Sequence, residues 1–154
     1  MKLDVQERLD IARKSGRTPI ACSCKKCQEQ CKSICLGTPS DILRIAQAGY
    51  SQYIKPTMWV VGMLAGKTKE PVLMLQLEYN EETGYCCMFE DGKCKLHEAG
   101  IKPIEGKLSS HLIRKDNFIF NKSLSWLVAK TWLDPRNEQT IREIVKIIDS
   151  TPTE

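Results

Sequence analysis

Five of the chain's eight cysteines, Cys22, Cys24, Cys27, Cys31 and Cys35, fall inside the stretch Ala21-Cys-Ser-Cys-Lys-Lys-Cys-Gln-Glu-Gln-Cys-Lys-Ser-Ile-Cys35. The other three, Cys86, Cys87 and Cys94, come about fifty residues later, around a hairpin pattern. Two groups of thiols separated by ordinary folding sequence point to one site that folding brings together. A metal centre explains that layout best, with zinc or an iron–sulfur cluster as the cofactor.

The compartment supports this reading. The opening run Met1 to Ile11 is amphipathic and acidic, with no apolar core of a signal peptide. The longest apolar run, Met58 to Gly66, is far short of the ~20 residues of a membrane span. The chain is therefore expected to be cytoplasmic and not membrane-bound. Thiols stay reduced there, which favours metal or redox chemistry over disulfides. At 154 residues, 42% hydrophobic and 27% charged, it is expected to form a single cysteine-cluster domain over residues 1–154. The net charge of +4 is spread along the chain without a basic, aromatic-interleaved block, so nucleic acid is not indicated as a partner. A protein partner or substrate is not identified by any motif.

Cys24, Cys27, Cys31 and Cys35 follow one another at helical spacing and fall in a sector about 80° wide on a helix. Cysteine also behaves as a small core hydrophobe. An ordinary core stripe would use Leu, Ile and Ala, however, and only Ile34 and Leu36 add bulk here. Lys25, Lys26 and Lys32 beside the thiols are expected to lower their pKa values. Residues 24 to 35 span roughly 16 Å of helix, whereas thiolates on one zinc lie within about 4 Å of one another. One straight helix cannot present all four to one ion. Adjacent pairs such as Cys24 with Cys27 or Cys27 with Cys31 can chelate, and the remaining ligands are expected from Cys86, Cys87 and Cys94. Either the helix breaks inside the cluster, or more than one metal or a multinuclear cluster is held. Cys22 is a further candidate.

The rest of the chain predicts an α+β fold: a small antiparallel sheet of three to four strands, a cysteine-bearing helix, and flanking N- and C-terminal helices. Helices are expected over Leu3 to Lys14 (apolar Val5, Leu9, Ala12), Pro39 to Ala48, Asn121 to Leu133 and Asn137 to Ile148. Thr38-Pro39-Ser40-Asp41 reads as a capping box with proline in the first turn. Strands are expected over Thr57 to Leu64 and Val72 to Tyr79. Tyr85 to Glu90 and Lys93 to His97 are expected to form a hairpin about Asp91-Gly92. Strand alternation there would place Cys86 and Cys87 on opposite faces. Ala99 to Lys107 is expected to be a loop.

Zinc-ribbon, bacterial ferredoxin and thioredoxin spacings do not fit these cysteines. The layout does resemble the YkgJ-like cysteine-cluster family, the zinc- or iron-chelating domains of the CxxCxxCC type. The resemblance runs from about Ala21 to Lys107. It rests on Cys24 to Cys35, on Thr38-Pro39-Ser40-Asp41-Ile42-Leu43-Arg44-Ile45, and on Cys87-Met88-Phe89-Glu90-Asp91-Gly92-Lys93-Cys94-Lys95-Leu96-His97. The cluster is stretched relative to the family's spacing. The family's Arg-Pro-x-x-Cys-Arg is similar to Lys102-Pro103-Ile104-Glu105-Gly106-Lys107, where Gly106 replaces a cysteine.

The resemblance therefore implies one thiolate fewer. Cys22 or Cys86 is the first choice to fill the gap. Glu105, His97 or His111 offers oxygen or nitrogen, and an open position would suit a catalytic metal. Three roles follow: a metal-binding protein, a metal-dependent enzyme or methylation-linked accessory domain, and a thiol redox sensor. No glycine-rich nucleotide loop follows a strand, which argues against a self-contained methyltransferase.

Overall fold

A computed structural model of the chain describes residues 2–17, 36–78, 86–90, 93–98, 100–108 and 120–150. The helix expected over residues 24 to 35, the Asp91-Gly92 turn and His111 lie outside the described residues.

Helix α1 (Lys2–Ser15) forms where its period places it. It ends at Gly16, whose φ of 70° is a left-handed conformation that glycine adopts without a Cβ penalty. Its face is not the expected one. Val5 and Leu9 are 57% and 62% exposed, while Glu7 and Ile11 are 7% and 3% exposed. The reason is ionic. Asp4 and Arg8, one turn apart, meet Asp41 and Arg44 from the next helix among the described residues, and that pairing sets the rotation of α1.

That next helix, α2 (Pro39–Ile45), starts as its sequence dictates. The Thr38 side chain accepts from Asp41 N, Asp41 Oδ2 accepts from Thr38 N, and Pro39 fills the first turn. Helix α2 ends earlier than Ala48. The chain widens into a π-helical turn, Ala46–Tyr50, containing Gly49 at φ 99°, then passes through the 3-10 turn Ser51–Tyr53.

Strands β1 (Ile54–Trp59) and β2 (Val72–Leu77) pair antiparallel, with Ile54 opposite Leu77 and Trp59 opposite Val72. The strand expected over Thr57 to Leu64 is thus corrected at both ends. Among the described residues β1 pairs on one side only, the edge position in which Pro56 is tolerated. Val61–Leu64 is instead a helical turn, α3. Trp59 stacks on Trp126 with ring centroids 6.0 Å apart, and the chain folds back so that Gly62 lies against both rings. A Cβ on Gly62 would stand 2.8 Å from Trp59 Cζ3.

The hairpin is present but short. Strands β3 (Phe89–Glu90) and β4 (Lys93–Cys94) set Phe89 opposite Cys94, and Lys95–Glu98 is a helical turn, α4, in place of further strand. Ile104–Lys107 is likewise a helical turn, α5, where a loop was expected; Pro103 leads into it. Helix α6 (Leu124–Thr131) buries Leu124, Leu127 and Val128, with Trp132 buried just beyond its end. Pro135 then opens a 3-10 turn, Pro135–Asn137, ahead of α7 (Glu138–Ser150). In α7 Ile144 is buried and Ile141 and Ile148 pack beside it, whereas Val145 is exposed.

The fold is α+β. Among the described residues the strands form two separate antiparallel pairs, and no helix is long and apolar enough to cross a membrane. The core draws on every layer, with Ile42, Ile45, Met74, Met88, Leu96, Val128 and Ile144 at its centre.

Candidate metal centre

Cys22, Cys24, Cys27, Cys31, Cys35 and His111 lie outside the described residues. Cys86, Cys87, Cys94 and Glu105 lie within them, and His97 belongs to α4. Cys86 is buried, and Cys87 and Cys94 are partly buried against the core. Among the described residues no three Cys, His, Asp or Glu side chains converge as a metal-binding group.

The regular strand that would set Cys86 and Cys87 on opposite faces is not formed at Cys87. Cys86 makes a single bridge and Cys87 and Met88 form a turn, so the two-residue alternation of a strand does not apply. The Cys87 thiol instead donates to the Cys86 sulfur. That bond is the main cause lowering the Cys86 thiol to about 7, with the Met88 backbone assisting and burial opposing. The same bond, together with burial, raises the Cys87 thiol. One sulfur of the pair is thus readily ionised, and thiolates are what bind metal or attack oxidants.

The residues directly after Cys35 are held at every backbone polar group. Leu36 N donates to Glu105 Oε1 at 3.3 Å, and Leu36 O accepts from Glu105 N at 3.3 Å. Gly37 N donates to Gln76 Oε1 at 3.0 Å; its carbonyl accepts from Gln76 Nε2 at 3.1 Å and from Trp132 Nε1 at 2.9 Å. Thr38 N donates to Asp41 Oδ2 at 3.1 Å and Thr38 O accepts from Ile42 N at 3.1 Å. Buried backbone groups need such partners. Here they come from β2, α2, α5 and the end of α6. A side chain at position 37 would have no room, since a Cβ would sit 3.0 Å from Asp41 Cβ and 3.3 Å from Pro103 Cβ.

Asp41 joins this clamp to α1. Its carboxylate is 1% exposed and accepts from Thr38 N, Ile104 N (3.0 Å), Arg44 (2.6 Å) and Arg8. Arg44 also reaches Asp4 at 2.6 Å. A buried carboxylate with two guanidinium partners and two backbone donors meets the condition under which a buried charge is tolerated.

Glu105, a candidate ligand, has both oxygens engaged: Oε1 by Leu36 N and Oε2 by Ser125 Oγ at 3.0 Å. Burial raises its pKa, and the Leu36 and Ser125 bonds together with Arg17 work against that rise. Its neighbour Gly106, at the position where the resemblance expects a cysteine, belongs to the same turn α5.

Sequence reasoning read Asp41 only as a cap and missed Gln76 and Trp132. A signal for Gln76 was present: it is the lone polar residue in Val72-Leu-Met-Leu-Gln-Leu77, and it points inward with Val72 and Met74. No family model, curated protein or solved structure matches the chain.

Proposed function

We propose that this is a cytoplasmic metal-binding protein whose thiolates, from the Cys24–Cys35 stretch and the Cys87–Cys94 hairpin, hold zinc or an iron–sulfur cluster. In this reading the cysteine stretch is helical and lies against the hairpin, whose strands extend the small sheet to three or four. The likeness to the YkgJ-like family belongs to the same proposal. So do Cys22 and Cys86 as the first choices for the missing thiolate, ahead of His97, Glu105 and His111.

One observation carries the reading. The chain directly after Cys35 is fastened to the segment that follows the hairpin: Leu36 to Glu105, Gly37 against Pro103, and Thr38 through Asp41 to Ile104. A fold that commits this many buried hydrogen bonds to the end of a cysteine stretch gives the stretch a defined origin, as a preorganised site requires. The lowered Cys86 thiol supplies a ready thiolate nearby in the chain.

The test is anaerobic purification with elemental analysis and a visible spectrum. Zinc gives no colour, whereas an iron–sulfur cluster absorbs at about 400 nm. Cys27→Ser and Cys94→Ser are expected to lose metal and stability together, because metal binding is coupled to folding. Full metal stoichiometry in both variants overturns the proposal. The contact between the Cys86 and Cys87 thiols favours a second reading, a thiol redox sensor. That reading requires metal-free protein with reversibly oxidised thiols.

A further inference from the structure

Helix α1 also meets the rest of the molecule through Glu7, which bonds Asn137 in the 3-10 turn just before α7. Both side chains are buried, Glu7 at 7% exposure and Asn137 at 0%. Asn137 Nδ2 donates to Glu7 Oε2 at 2.8 Å and to the Thr131 carbonyl at 2.9 Å, so both amide hydrogens are used. That leaves two atoms. Glu7 Oε1 and Asn137 Oδ1 are buried and have no partner among the described residues.

The two orphan oxygens belong to side chains already joined by a hydrogen bond. As a carboxylate and a carboxamide oxygen, both are acceptors only and cannot satisfy one another. Turning the Asn137 amide over gives no relief, because Oδ1 would then face Glu7 Oε2 and the Thr131 carbonyl. A proton on Glu7 would make Oε1 a donor, and Asn137 Oδ1 is the unsatisfied acceptor on the side chain already bonded to it.

We propose that Glu7 is a neutral carboxylic acid in the folded protein, donating from Oε1 to Asn137 Oδ1, so that α1 is latched by an acid–amide ring that opens as the pH rises. The surrounding charges agree with this assignment. Burial is the largest cause raising the Glu7 pKa, and Asp134 and Asp4 push the same way; the Asn137 bond and Arg136 oppose them. Arg136 is drawn off by Asp134, which it meets at 2.7 Å. Asp10, Lys14 and Lys130 line the adjoining cleft of about 220 Å³ between α1 and α6. None of the three makes a hydrogen bond or ion pair with Glu7 among those described.

The sign follows from linkage. A group whose folded pKa is raised stabilises the fold fully below its unfolded value, and that contribution is lost as pH climbs through the folded value. Glu7→Gln mimics the protonated state, since its amide nitrogen can donate to Asn137 Oδ1. The experiment is thermal unfolding of wild type and Glu7→Gln from about pH 5 to about pH 9. It is paired with a carbon-13 titration of Glu7 Cδ in the wild-type protein.

The wild-type Tm is expected to fall below that of Glu7→Gln by a gap that widens by several degrees as pH rises. Cδ is expected to titrate above the ordinary 4.5. Parallel pH profiles for the two proteins, or a Cδ midpoint at or below 4.5, overturn the latch. If Glu7→Gln does not fold, the Cδ titration alone decides.

Discussion

Leu36 and Glu105 are joined twice, backbone amide to carboxylate and backbone amide to backbone carbonyl, although 69 residues separate them. The pairing ties the residue after Cys35 to the helical turn that carries Gly106. It makes Leu36, the residue that follows the cysteine stretch, part of the core.

Glu105→Ala removes the acceptor for Leu36 N and Ser125 Oγ and is expected to lower unfolding stability by about 1–3 kcal/mol. Glu105→Gln keeps one acceptor oxygen and should lose less. Urea unfolding of the two variants checks the order. Equal losses would show that the carboxylate's bonds are not what holds Leu36.

Gly37→Ala introduces a methyl 3.0 Å from Asp41 Cβ and 3.2 Å from Ile42 Cδ1. Asp41 Cβ cannot retreat without moving α2, so the cost is expected to be about 1–3 kcal/mol from overpacking. Gly16→Ala is a useful contrast, because nothing lies within 4 Å there and only its φ of 70° resists the change. Gly16→Ala should cost about 1–2 kcal/mol, from the left-handed backbone alone. Denaturant midpoints for the pair distinguish crowding from backbone strain.

Asp41→Ala leaves Arg8 and Arg44 with Asp4 as their remaining carboxylate partner and strands the amides of Thr38 and Ile104. The expected loss is about 1–3 kcal/mol for each buried amide left without its acceptor. Because Asp41 is 1% exposed, roughly 0.5 M salt should shrink this loss very little. By contrast, the exposed Arg142–Glu138 pair should give no measurable loss on Arg142→Ala. Chemical unfolding at low and high salt measures both.

What could be read from the sequence was what neighbouring residues determine. Thr38, Pro39 and Asp41 make their cap within one turn, and Leu124, Leu127 and Val128 share a stripe that faces inward as expected. The rotation of α1 was not legible. Val5 and Leu9 offered an apolar stripe, but Asp41 and Arg44, some forty residues away, claimed the face bearing Asp4 and Arg8. The run Met58-Trp-Val-Val61 has strand composition, yet the stacking of Trp59 on Trp126 turns it into a helical return. At the candidate site the cysteines announced themselves by spacing. The clamp behind them did not, because Gln76, Glu105 and Trp132 come from three distant segments and carry no common pattern.

The indole of Trp132 gives this protein a built-in optical probe. Its N–H rests on the Gly37 carbonyl, two residues past Cys35, while Trp59 and Trp126 stack together elsewhere. With those two replaced by phenylalanine, the remaining fluorophore would have its polar atom fixed at the exit of the cysteine stretch. A shift in its emission on adding zinc would then report, in real time and without a label, whether loading the thiols is felt at residue 37.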